Sequence, residues 1–85
     1  MGDVEEKVKD LLLDMLDIAA EDITPKARFV EDLKATSIDM VEILSALQNT
    51  FDIEIGDSDV ARLVTVQDAV DFLKSAIDRK GTRGP

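Results

Sequence analysis

Val4, Val8, Leu11, Leu12, Met15 and Leu16 recur at spacings of three and four, the period of a helix with one apolar face. The pattern predicts a first helix over roughly Asp3 to Asp17. Asp3, Glu5 and Glu6 fall in its first turn, where carboxylates meet the positive end of the helix dipole. From Ile18 to Ala35 the period fails. Thr24-Pro25 marks a turn, and Ile23, Phe29, Val30 and Leu33 are apolar anchors between polar residues, so this stretch reads as a long loop pinned to a core. Connections of this length are uncommon in small domains, and they tend to be functional.

Thr36 and Asp39 have the spacing of a capping box, so a second helix is predicted to start there and to end near Thr50. Its apolar stripe is read as Ile38, Val41, Leu44, Leu47 and Phe51, with Asp39, Glu42 and Asp52 in water. Phe51, Ile53 and Ile55 then alternate with Asp52 and Glu54. Period alone favours a strand, but nothing else in the chain offers a pairing partner, and an extended loop is predicted. Asp57 to Arg62 suits one or two helical turns capped by Asp57 or Ser58, after which Leu63 and Val64 return to the core. A last helix opens with Thr65 and Asp68 as a second capping box and buries Val66, Ala69, Val70, Leu73 and Ile77. Arg79 and Lys80 suit its negative end. Residues 1–80 form one domain on this reading, and residues 81–85 a flexible tail.

The composition adds exclusions. With 85 residues there is room for one small core and little room for an enzyme cleft. The chain has no His and no Cys, so the commonest general base, the commonest metal ligand and any disulfide are missing. No catalysis by the chain alone is expected, and no metal site. Asp57-Ser58-Asp59 resembles the opening of a calcium loop, but Ala61, Arg62 and Asp68 stand where a ligand, the turn glycine and a bidentate Glu belong. The longest apolar run, Leu11 to Leu13, is far short of a membrane span, and a soluble cytoplasmic protein is expected. The net charge of -9 repels nucleic acid, anionic membranes and other copies of the chain, which favours a monomer with basic partners. The charge is also uneven. No basic residue occurs between Lys34 and Arg62, whereas Asp39, Glu42, Asp52, Glu54, Asp57 and Asp59 are all acidic.

Ser37 is the residue best placed for chemistry. In the first turn of a helix, free backbone N–H groups and the dipole favour an anion such as a phosphate. Position alone does not identify a function, since most such serines are merely polar first-turn residues. The wider pattern does more. Ile23-Thr24-Pro25, Phe29, Glu31-Asp32-Leu33, Thr36-Ser37-Ile38-Asp39, Phe51-Asp52-Ile53-Glu54-Ile55, Thr65-Val66 and Asp68-Ala69-Val70 resemble acyl carrier proteins in order and spacing over about Val4 to Ile77.

The resemblance implies an all-α fold, a small four-helix bundle with a long first loop and a short third helix. It implies that a phosphopantetheinyl transferase attaches 4'-phosphopantetheine, donated by coenzyme A, to Ser37. The arm's thiol then carries acyl groups to the acyl-transfer and chain-elongation enzymes of fatty-acid, polyketide or lipid biosynthesis. Their basic patches are expected to dock on Asp39, Met40, Glu42, Glu54 and Ile55. The acyl chain is expected to lie among Leu44, Leu47, Phe51, Ile55, Val60, Ala69 and Leu73; plain core needs the same side chains, and the sequence does not separate the two. An unmodified acidic helical module that binds a basic protein is the alternative.

The chain also departs from the family pattern. Thr36 and Ile38 stand where Asp and Leu are usual, and Lys34-Ala35 replaces Gly-Ala. The lost carboxylate beside Ser37 points to slower modification or a dedicated transferase. Gln48-Asn49-Thr50 interrupts the acidic face of the second helix, which predicts weaker docking on standard fatty-acid enzymes.

Overall fold

The computed structural model describes residues 3–83, with side chains over 4–79. Helix α1 spans Asp3–Met15 and buries Val8 and Leu12, with Leu16 just beyond it. The Leu16 N–H donates to the Leu12 carbonyl at 2.8 Å, so the last turn closes slightly short of the expected Asp17. α1 packs against both α2 and α4. Lys7 Nζ adds a contact 5.9 Å from the centroid of the Phe51 ring.

The stretch from Leu16 to Thr36 contains one 3₁₀ turn, Ala20–Asp22, and is otherwise irregular. Ile23, Ala27, Phe29, Leu33 and Ala35 are buried, so apolar side chains hold it in place. Backbone bonds hold it too. The Phe29 N–H donates to the Val64 carbonyl (3.1 Å), Val66 N–H to Ala27 (2.9 Å) and Gln67 N–H to Pro25 (2.9 Å), which lash the loop to the start of α4. Val30, expected as an anchor, is exposed instead. The N–H groups of Asp32 and Leu33 both return to the Arg28 carbonyl, and this tight turn sends Val30 outward while Phe29 and Leu33 fill the core.

Helix α2, Ser37–Phe51, starts on the predicted capping box. The Asp39 N–H donates to Thr36 Oγ1 (3.1 Å) and the Thr36 N–H to Asp39 Oδ2 (3.0 Å). Its buried face is Ile43 and Leu47, with Met40 and Phe51 packed partly against the core. The expected stripe is therefore corrected at two positions: Ile38 and Val41 are 71% and 66% exposed. Ile38, Met40, Val41, Ile43, Leu44, Ala46 and Leu47 encircle the helix, so helical period alone does not choose the inner face. The helix closes on Asp52, left-handed at φ 55, whose N–H returns to the Gln48 carbonyl.

The segment after Asp52 is extended without strand pairing, as expected, and α3, Asp57–Val60, follows. Its cap is Gly56, one position before the expected Asp57 or Ser58, and the Gly56 N–H donates to Asp59 Oδ2 at 3.1 Å. Leu63 is buried but Val64 is exposed, against expectation. Consecutive side chains on extended backbone point opposite ways, so with Leu63 inward Val64 faces water.

Helix α4, Val66–Arg83, opens on the second predicted box. Here the Asp68 N–H donates to Thr65 Oγ1 (3.1 Å) and the Thr65 N–H to Asp68 Oδ2 (3.0 Å). Val66, Ala69, Val70 and Leu73 are buried and Ile77 is half-buried. The helix passes Arg79 and Lys80; Gly84 and Pro85, the end of the expected tail, lie outside the described residues. The fold is thus a small all-α bundle of four helices, with no strand among the described residues.

Candidate attachment site and cleft

The capping box places Ser37 as the first residue of α2, exposed, with its hydroxyl at the positive end of a 15-residue helix. Asp39 and Met40 spend their N–H groups on Thr36. Those of Ser37 and Ile38 have no partner among the described residues, which leaves two donors at the spot where an anion on Ser37 would sit. An exposed hydroxyl beside unpaired donors fits a phosphodiester. The Asp39 carboxylate is tied to the Thr36 N–H, which holds it in the cap.

The turn before Ser37 has an unusual shape. Lys34 has φ 62, a left-handed conformation that costs an L residue roughly 1 kcal/mol. The twist allows Leu33 and Ala35 to be buried on either side while the Ala35 N–H reaches the Phe29 carbonyl at 2.9 Å.

A cleft of about 310 Å³ lies beside α2, lined by Phe29, Val30, Met40, Val60, Leu63 and Val64, with Arg28 and Glu31 as its polar residues. Met40 is three residues from Ser37, so the cleft begins one helical turn from the hydroxyl. Arg28 Nη1 pairs with Glu31 Oε1, and this hydrogen bond, followed by the Glu31 charge, pushes the guanidinium pKa up.

Of the residues expected to line an acyl space, Val60 is on this cleft. Leu47, Ala69 and Leu73 are closed inside the core, Phe51 and Ile55 pack against it, and Leu44 is half-buried. Of the expected docking residues, Glu42 and Glu54 are exposed, Asp39 is half-exposed, Met40 lines the cleft and Ile55 is half-buried. Sequence reasoning missed Ile38 and Val41, whose exposed side chains share the outer face of α2 with Glu42. The signal was present: α2 has more apolar residues than one face can bury.

The comparisons with known proteins fit this geometry. The phosphopantetheine attachment site family matches residues 6–73, from α1 into α4, a span that includes Ser37. An acyl carrier protein of Nitratidesulfovibrio vulgaris strain DP4 is 43% identical over 72 residues, which are 85% of this chain and 95% of that protein. The chain belongs to the acyl carrier protein family. A carrier from the Miyazaki F strain of the same species is likewise 43% identical over 72 residues, again 85% of this chain and 95% of that protein. A solved structure of the acyl carrier protein from Enterococcus faecalis superposes with a TM-score of 0.75 at 34% identity, over 86% of this chain and 92% of that one. As an acyl carrier protein, the chain bears covalent 4'-phosphopantetheine, whose thiol holds acyl groups as thioesters. Its relatives are carriers rather than catalysts, serving transferases and biosynthetic enzymes. Among the described residues, no helix is long and apolar enough to cross a membrane.

Proposed function

We propose that Ser37 bears the phosphopantetheine arm, and that the chain is a monomeric cytoplasmic carrier for fatty-acid, polyketide or lipid biosynthesis. One observation carries the assignment: an exposed hydroxyl opens α2 beside two unpaired backbone N–H groups, one turn from an apolar cleft. The donors and the helix dipole steady the phosphodiester, and the arm's thiol supplies the thioester chemistry. Phe29, Met40, Val60 and Leu63 offer the start of an attached chain an apolar surface near the serine.

Docking enzymes meet an apolar centre of Ile38 and Val41 rimmed by Asp39 and Glu42. A partner that fits this surface has an apolar socket with cationic groups around it; burial gives affinity, and the charges set encounter rate and choice. Glu54 extends the acidic rim towards α3.

The absence of cysteine makes the test direct. Unmodified protein titrates with no thiol, whereas protein incubated with coenzyme A, magnesium and its transferase gains one, and Ser37→Ala gains none while keeping its helical circular dichroism. A thiol appearing on Ser37→Ala places the arm elsewhere and overturns the assignment.

A further inference from the structure

Lys34 sits three residues before Ser37 in a conformation that L side chains rarely adopt, φ 62. Packing does not explain a lysine there. Its neighbours Leu33 and Ala35 fill the core, whereas the Lys34 side chain is exposed and makes no ion pair among the described residues. Glycine would take the same turn without strain.

Charge supplies a reason. Downstream of Lys34 the next basic residue is Arg62, and every charged residue between them is acidic. Upstream, Arg28 is engaged by Glu31. A phosphodiester on Ser37 adds an anion two residues from Asp39 in a chain already at -9, and Lys34 is the cation nearest to it in sequence and makes no ion pair among the described residues. Three residues span at most about 11 Å between Cα atoms, and a flexible four-carbon stem carries the ammonium across much of that.

Resting on attachment at Ser37, we propose that Lys34 is a positioning residue for the arm: its ammonium pairs with the phosphodiester on Ser37 and restrains the first bonds of the arm against α2. The strained turn persists because it presents that cation beside the attachment point.

The test compares the arm-bearing forms of the parent, Lys34→Arg, Lys34→Gln and Lys34→Gly by ³¹P NMR, with attachment to Ser37 verified by mass. The parent and Lys34→Arg should share one phosphodiester resonance at low salt, and Lys34→Gln and Lys34→Gly another. The difference should collapse near 1 M salt, where the screening length is about 3 Å. Melting of the arm-free proteins separates strain from pairing. Lys34→Gly should melt higher by a few degrees, on the order of 4 °C, yet group with Lys34→Gln in the phosphorus spectrum. One resonance for all four proteins overturns the proposal and leaves Lys34 a strained surface residue. Protein from its native source with no arm on Ser37 overturns the attachment reading and this proposal together, and the mass spectrum tells that failure from the first.

Discussion

Gln48 Oε1 accepts a hydrogen bond from the Ile55 N–H at 3.2 Å, while Gln48 Nε2 donates to the Leu44 carbonyl at 3.4 Å. One half-buried amide thus ties the extended segment after α2 back to the helix. At this position acceptor and donor are used together, which a carboxylate does not offer. The neutral residue that interrupts the acidic face therefore has a structural task. Gln48→Ala should lower stability by about 1 kcal/mol, since a partly buried N–H loses its acceptor. Gln48→Glu, which keeps the acceptor, should lose less. Urea unfolding of the three proteins checks the order, and equal stability of all three would contradict it.

The two faces of α2 make a sharper pair. Ile43→Ala removes a buried side chain and should cost about 2–5 kcal/mol, whereas Ile38→Ser, on the outer face, should stay within about 0.5 kcal/mol of the parent. Docking should show the reverse emphasis. Ile38→Ser and Val41→Ser should weaken binding to an acyl-transfer enzyme with little change in salt dependence, and Glu42→Gln should slow association and flatten that dependence. Calorimetric melting and surface-binding kinetics measure both. A large stability loss at Ile38 would put the inner face where helical period alone first places it.

These contrasts mark what was legible. Both capping boxes were readable, because Thr36 with Asp39 and Thr65 with Asp68 are local chemistry at a fixed spacing. α1 was readable because its apolar positions, Leu13 apart, fall on one face. The inner face of α2 was not, since apolar residues surround that helix and only the positions of α1 and the loop decide which ones are covered. The exposure of Val30 follows from the turn that returns the Asp32 and Leu33 N–H groups to the Arg28 carbonyl, and that of Val64 from its alternation with buried Leu63; neither leaves a side-chain signature. The site was half legible. Ser37 stands out by position and family pattern, but the left-handed Lys34 and the cleft between the loop and α3 emerge only when the chain is folded.

The cap before Ser37 should matter to both fold and modification. Thr36→Ala removes the oxygen that accepts the Asp39 N–H and should cost about 1 kcal/mol, fraying the turn that presents the serine. Thr36→Ser, which restores an acceptor, should recover most of the loss. Amide hydrogen exchange at Asp39 and Met40 reports the fraying; unchanged protection in Thr36→Ala would show that the box does not hold the site.

Charge repulsion should be measurable on the whole molecule. With a net charge of -9 and only acids from Asp39 to Asp59, raising monovalent salt from about 0.01 to 0.15 M should raise the melting temperature, as screening shortens the reach of the repulsion. A melting temperature flat across that range would mean that the acidic half carries no net strain.

The central claim is that Ser37 bears the arm, and an intact-protein mass spectrum tests it most directly. Parent and Ser37→Ala are incubated side by side with coenzyme A, magnesium and a broad-specificity phosphopantetheinyl transferase, and protein from the native source is weighed alongside them. The account predicts one phosphopantetheine on the native and treated parent, located on the peptide containing Ser37, and none on the variant. An arm on both proteins, or native protein with no arm at all, would contradict it.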